Sequence, residues 1–96
     1  MVALESIVVR SDGVLGAVVD GETVLMSVER GDYYALTATS CAIWEQLETP
    51  VRVRDLCRTL ADAYKAPLET VQADTLEFLS YLAVHKLIES RITQDS

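Results

Sequence analysis

The hydrophobic pattern changes period once along this chain, from alternation up to Leu36 to helical spacing beyond Thr37. Ile7-Val8-Val9-Arg10 is a short β-branched run closed by the turn cluster Ser11-Asp12-Gly13. Val14 to Val19 makes a second run, ended by Asp20-Gly21, a dipeptide suited to a two-residue hairpin turn in which both central residues take positive φ. In Thr23 to Glu29, Val24, Met26 and Val28 alternate against Thr23, Ser27 and Glu29, which predicts a buried face bearing the apolar set and a wet opposite face. Arg30-Gly31-Asp32 turns the chain into Tyr33-Tyr34-Ala35-Leu36, whose adjacent tyrosines must point to opposite faces, one into the core and one presented. The first half therefore reads as an antiparallel meander of three to four strands with Tyr33 to Leu36 on its edge.

Three helices follow. Thr37 or Thr39 caps the first, which holds Cys41, Ile43, Trp44 and Leu47 and ends before Pro50; Trp44 shares a face with Cys41 and Leu47 and reads as a core anchor. The second covers Val53 to Tyr64, with Leu56, Cys57, Leu60, Ala61 and Tyr64 inward and Arg52, Arg54, Arg58 and Asp62 outward, and Lys65-Ala66-Pro67 breaks it. The third runs from Leu68 or Glu69 to Lys86. Leu68, Val71, Thr75, Phe78, Leu79 and Leu82 form its main stripe, and Leu76, Ala83 and Leu87 widen that stripe beyond one packing contact. Leu87 to Ile92 is expected as a short extended tail or wing, and Thr93 to Ser96 as a frayed end. The fold class expected is α+β, a small antiparallel β-meander followed by three helices, resembling a winged helix-turn-helix, with residues 1–96 as one domain.

Charge narrows the partners. The formal net charge is −7, with eight acidic and two basic residues in 1–48 and seven and six in 49–96. Neither half supplies the basic patch that phosphate neutralisation requires, and the third helix carries Glu69, Asp74 and Glu77 against Lys86, so nucleic acid is not expected and a winged-helix DNA-binding regulator ranks lowest. No apolar run is long enough to span a bilayer and the N-terminus lacks a secretory layout, so a soluble, cytoplasmic protein with no membrane partner is expected.

Catalytic chemistry finds no foothold. His85 stands near a helix C-terminus, where a favourable dipole interaction explains it, and no motif pairs it with a nucleophile. Cys41 and Cys57 sit within apolar helical patterns, and no spacing suggests a metal site. Gly13, Gly16, Gly21 and Gly31 form no phosphate-binding fingerprint. A non-catalytic binding protein without metal or cofactor is the expectation.

The run from Val24 to Leu36, with its Glu29-Arg30-Gly31-Asp32 turn and Tyr33-Tyr34 pair, followed by Ala42-Ile43-Trp44-Glu45-Gln46-Leu47, resembles the PqqD family. Asp74, Phe78, Leu79, Leu82, Leu87 and Ile88 resemble its last helix. Thr37 stands where Asn is frequent, and Lys86 replaces the common Gly before the final Leu-Ile pair, leaving that helix end less sharply defined.

The resemblance implies a RiPP recognition element, which binds the leader segment of a ribosomally made precursor peptide as an added strand beside the third helix. Carried onto this chain, it implies peptide contacts at Tyr33, Tyr34, Ala35 and Leu36 on the strand and at Asp74, Phe78 and Tyr81 on one flank of the helix. The strand run is similar to stand-alone recognition proteins of lasso-peptide pathways, whose partners are a leader peptidase and an ATP-dependent cyclase. The alternative is the PQQ pathway, with a PQQ precursor and a radical SAM enzyme as partners. Local sequence leaves open whether the Ala35 N–H faces outward or into the sheet.

Overall fold

The computed structural model describes residues 2–92, so the expected fray at Thr93 to Ser96 lies outside the described residues. In chain order the elements are β1 (Ser6–Arg10), β2 (Val14–Val19), β3 (Glu22–Ser27), β4 (Tyr33–Leu36), α1 (Ala38–Gln46), β5 (Val51–Arg52), α2 (Val53–Tyr64), α3 (Leu68–Val84) and β6 (Ile88–Ile92). The class is α+β, as expected: two antiparallel three-stranded sheets, β5-β1-β6 and β2-β3-β4, with three helices.

The meander consists of β2, β3 and β4. Asp20 and Gly21 at φ 53° and 80° provide the paired positive φ values of its first hairpin turn. β1 leaves the meander. It pairs along its length with β6, Ser6 opposite Ile92 through Arg10 opposite Ile88, and with the short β5 at Val8 opposite Val51. The extended tail is thus a paired strand, and the Arg10 and Ser11 amides continue the tie by donating to the Leu47 and Leu87 carbonyls, each at 3.0 Å.

The face of β3 is the reverse of that expected. Leu25 is fully buried and Ser27 nearly so, while Val24 and Met26 lie on the outer side and Val28, just beyond the strand, is exposed. Leu25 is opposite Gly16, and a Cβ at Gly16 would lie 3.6 Å from Trp44 Nε1 and 3.7 Å from Leu25 Cδ2. A methyl group there would rest in ordinary van der Waals contact with both. The polar residues on this inner side are partnered: the Ser27 hydroxyl accepts from the Arg30 amide at 3.4 Å, and the Thr23 hydroxyl lies 3.1 Å from Cys41 Sγ. Leu25 on this face meets Trp44 and the core, where a fully buried leucine contributes about 2 kcal/mol, and Ser27 does not oppose that burial once its hydroxyl is bonded.

Thr37 is the N-cap of α1, its hydroxyl accepting from the Ser40 amide at 3.1 Å. Trp44 joins Ile43, Leu47, Leu56, Leu60, Leu79, Leu82 and Leu87 in the core, and Arg10 covers its outer side, guanidinium 4.7 Å from the ring and bonded to the Trp44 carbonyl at 2.9 and 3.1 Å. On α2, Leu56, Cys57 and Leu60 are buried as expected, but Tyr64 is exposed: it occupies the last position of the helix, where no further turn covers it, and the chain departs through Lys65 at φ 51°. Leu68, placed on the α3 stripe by spacing, is also exposed, at the first turn of its helix.

α3 stops at Val84, short of the expected Lys86, and stops sharply. Lys86 adopts φ 59°, its amide donates to Ala83 and the Leu87 amide to the Leu82 carbonyl at 2.9 Å, a left-handed cap made without glycine.

Candidate functional site

β4 is a terminal strand of its sheet, and the phase of its ladder determines what its free edge offers. The Ser27 amide donates to the Asp32 carbonyl at 3.0 Å, and bonded pairs alternate with non-bonded pairs along an antiparallel ladder. With Met26 opposite Tyr33, Leu25 opposite Tyr34, Val24 opposite Ala35 and Thr23 opposite Leu36, the backbones of Tyr34 and Leu36 turn in to β3. Those of Tyr33 and Ala35 turn out. The other side of β3 shows the complementary phase, because the Val28 amide, next to Ser27, donates the opposite way to the Gly13 carbonyl at 2.9 Å. The register left open by the sequence is thereby settled: the Ala35 N–H and C=O face away from the sheet.

The side chains divide in the opposite sense. Tyr33, 71% exposed, projects from the outer side, whereas Tyr34 and Leu36 are half-buried and pack against the core. Tyr34 reaches α3. Its ring centroid lies 6.3 Å from that of Tyr81, edge to face, and 5.3 Å from His85, while Tyr81 and His85 are 4.5 Å apart. The Tyr34 hydroxyl stands 3.5 Å from His85 Nδ1 and from Asp32 Oδ2. Desolvation raises the Tyr34 phenol above its ordinary value of 10.0, with the Asp32 carboxylate and Tyr81 adding to the rise.

Asp74, Phe78, Tyr81 and His85 follow one another at spacings of four, three and four, which aligns them along one flank of α3. Tyr81 and His85 lie at the Tyr34 end. Phe78 is half-buried against the core, and Asp74 is exposed farther along, on the rim of a concavity of about 260 Å³ bordered by Ile43, Leu60 and Tyr64. Of the residues singled out by sequence, Tyr34 and Tyr81 meet directly, Tyr33 and Ala35 present the edge backbone, and Asp74 stands apart from the aromatic contact. His85 was missed as part of this surface, although its place four residues after Tyr81 carried the signal.

The thiols take no part. Cys57 is wholly buried, and burial pushes its thiol up, a hydrogen bond with Thr75 pulling weakly the other way. Among the described residues, no group of three or more His, Cys, Asp or Glu side chains gathers as a metal site. No helix of the described residues is long and apolar enough to cross a membrane.

The family model for coenzyme PQQ synthesis protein D (PqqD) matches residues 22–88. The chain belongs to the PqqD family. Among solved structures, the chain is similar to TbiB1 in complex with the TbiA(beta) leader peptide, with 33% sequence identity, a TM-score of 0.76, and coverage of 84% of this chain and 94% of that one. A search of curated proteins gives no significant match. The PqqD match begins at β3 and ends at the first residue of β6, so it spans the edge strand, all three helices and the α3 flank.

Proposed function

We propose that this chain binds the leader segment of a ribosomally made precursor peptide as an extra strand on β4, against the flank of α3, and delivers it to a leader peptidase and a cyclase of a lasso-peptide pathway. The observation that carries the reading is the free β4 edge, with the Tyr33 and Ala35 backbones turned outward beside Tyr34, Tyr81 and His85. The likeness to TbiB1, solved with a leader peptide, supports the same use of that edge here. The chain recognises and presents; it performs no bond-making step.

Energetics divide the labour between strand and helix. The two outward residues offer two N–H and two C=O groups, worth about 1 kcal/mol net each, or roughly 4 kcal/mol together. Micromolar affinity needs about 8 kcal/mol after the entropic cost of association. Apolar leader side chains that enter the groove beside Tyr34, Phe78 and Tyr81 supply the remainder and with it the selectivity. Asp74 then meets a leader lysine or arginine at the far end of the flank.

The family description favours one alternative, presentation of the PQQ precursor to a radical SAM enzyme. Titrating fluorescently labelled lasso-type and PQQ-type leaders into the protein separates the two. Saturable binding of the lasso leader with weaker binding of the PQQ precursor is expected, the reverse order selects the alternative, and no saturable binding of either refutes strand addition as the function.

A further inference from the structure

The sheet β5-β1-β6 ends on β6, and among the described residues no strand pairs with its outer edge. The phase of that edge follows from one bond. The Ser11 amide donates to the Leu87 carbonyl one step beyond the Arg10–Ile88 pair, so the bonded pairs of this ladder are Val9 with Glu89 and Ile7 with Arg91. The Glu89 and Arg91 backbones turn in to β1, and those of Ile88, Ser90 and Ile92 turn out. Glu89, Ser90 and Arg91 are exposed. β6 therefore offers a row of free N–H and C=O groups, a template of the kind that native sheets normally blunt.

The sequence along that edge, Ile88-Glu89-Ser90-Arg91-Ile92, is its own complement about Ser90. Laid antiparallel against a second copy with Ser90 opposite Ser90, the outward backbones meet as bonded pairs, Ser90 with Ser90 and, on either side, Ile88 with Ile92. The intervening positions set Glu89 opposite Arg91 twice, in non-bonded pairs where Cα atoms stand roughly 4.5 Å apart and side chains are closest. Among the described residues neither Glu89 nor Arg91 forms an ion pair within the chain, whereas Glu5 and Arg54 do. A twofold interface requires that each residue meet the counterpart of the one that meets it, and β6 satisfies this in hydrogen bonds and in charge with a single register. We infer that two copies of this chain join through β6, fusing their small sheets into one of six strands.

A charged edge can instead serve to keep neighbours away, and the alternative registers show what that would look like. Sliding the pair by two residues in either direction sets Arg91 against Arg91 or Glu89 against Glu89, and sliding it by one sets outward backbones against inward ones. The Ser90 register is thus selected against its neighbours. The other free edges lack such a mark: Val14–Val19 and Tyr33–Leu36 carry no charge, and β5 has two residues. Because β4 belongs to the other sheet, the dimer leaves both peptide edges free.

Sedimentation velocity of the full chain from about 10 µM to about 1 mM, the range in which an interface of one strand pair associates, should show monomer converting to dimer. Ser90→Pro removes the two bonds at the twofold axis and none to β1, because the Ser90 amide faces outward. With circular dichroism still native, it should weaken dimerisation about 100-fold or more. Glu89→Arg and Arg91→Glu each place like charges across both side-chain pairs and should weaken it about tenfold or more. An equimolar mixture of these two variants restores opposite charges at every pair, and a heterodimer within about threefold of wild-type strength is expected. Wild-type protein that stays monomeric throughout the range overturns the inference. So does a dimer unmoved by the three variants, which lies elsewhere, or a mixture that fails to re-form one. Leader affinity of Ser90→Pro should match wild type within about twofold, and its loss also overturns the inference by making β6 the edge that takes the peptide. Dimerisation is read without peptide, so its outcome is independent of the peptide-binding reading.

Discussion

Replacing Ala35 with proline isolates the backbone contribution of the β4 edge. The Ala35 amide faces outward, so proline removes no hydrogen bond from the sheet, and its fixed φ is tolerated on an edge strand. What changes is the bound state. One hydrogen bond is lost, worth about 1 kcal/mol, and a leader carbonyl is held against the proline ring without water or partner, at a further cost of about 1–3 kcal/mol. The sum, about 2–4 kcal/mol, corresponds to a roughly 30- to 1,000-fold increase in Kd. Fluorescence anisotropy of a labelled leader measures it, with thermal unfolding alongside to show that the domain persists. Ala35→Val keeps the N–H and changes only a side chain on the outer face, so its affinity should remain within about twofold. Tyr34→Pro is the opposite case: the Tyr34 amide bonds to β3, and its loss should lower stability by about 1–3 kcal/mol before any peptide is added. If Ala35→Pro folds normally and binds leader within about twofold of wild type, the peptide does not pair with β4.

Three further outcomes follow from particular positions. Lys86→Gly should stabilise the protein by about 0.5–1 kcal/mol in urea denaturation, because relief of a left-handed non-glycine residue outweighs the added freedom of the unfolded chain. Iodoacetamide should modify Cys41 in the native protein and Cys57 only after denaturation, as read by mass spectrometry of digests, since Cys57 is buried with its thiol pushed up and Cys41 is partly exposed. Tyr34 is favoured in its protonated form by the fold, so its stabilising contribution is complete below pH 10 and is lost as pH rises through its folded value; Tyr34→Phe should remove that step from an alkaline stability profile.

Local chemistry carried much of the architecture. The turn at Asp20-Gly21, the cap at Thr37 and the break after Tyr64 are decided by a few neighbouring residues, and the strands and helices they bound are legible for that reason. The adjacent tyrosines also forced one inward and one outward. Pairing between distant segments left no comparable local mark: the alternation of β1 fits a place beside β2 as well as its actual place beside Ile88–Ile92, and β5 is too short to show a period. The inverted face of β3 has a different cause. Both sides of that strand carry apolar groups, and the choice depends on Gly16 opposite Leu25 and on Trp44 beneath, residues from two other elements. In the proposed peptide site, Tyr33 to Leu36 and Tyr81 are legible from alternation and family pattern, whereas the helix end alone accounts for His85 in the sequence and only the fold brings it to Tyr34.

The pairing of the first strand with the last also dictates an order of assembly. The β2-β3-β4 sheet is built from successive hairpins and has every residue it needs once Leu36 has been made, while β1 waits for the far end of the chain before its main partner exists. Closing that long loop carries the larger entropic toll and belongs late in folding. The β4 edge proposed for the peptide is therefore drafted early and locally, whereas its α3 flank and the β1–β6 clasp both come from the far half of the chain.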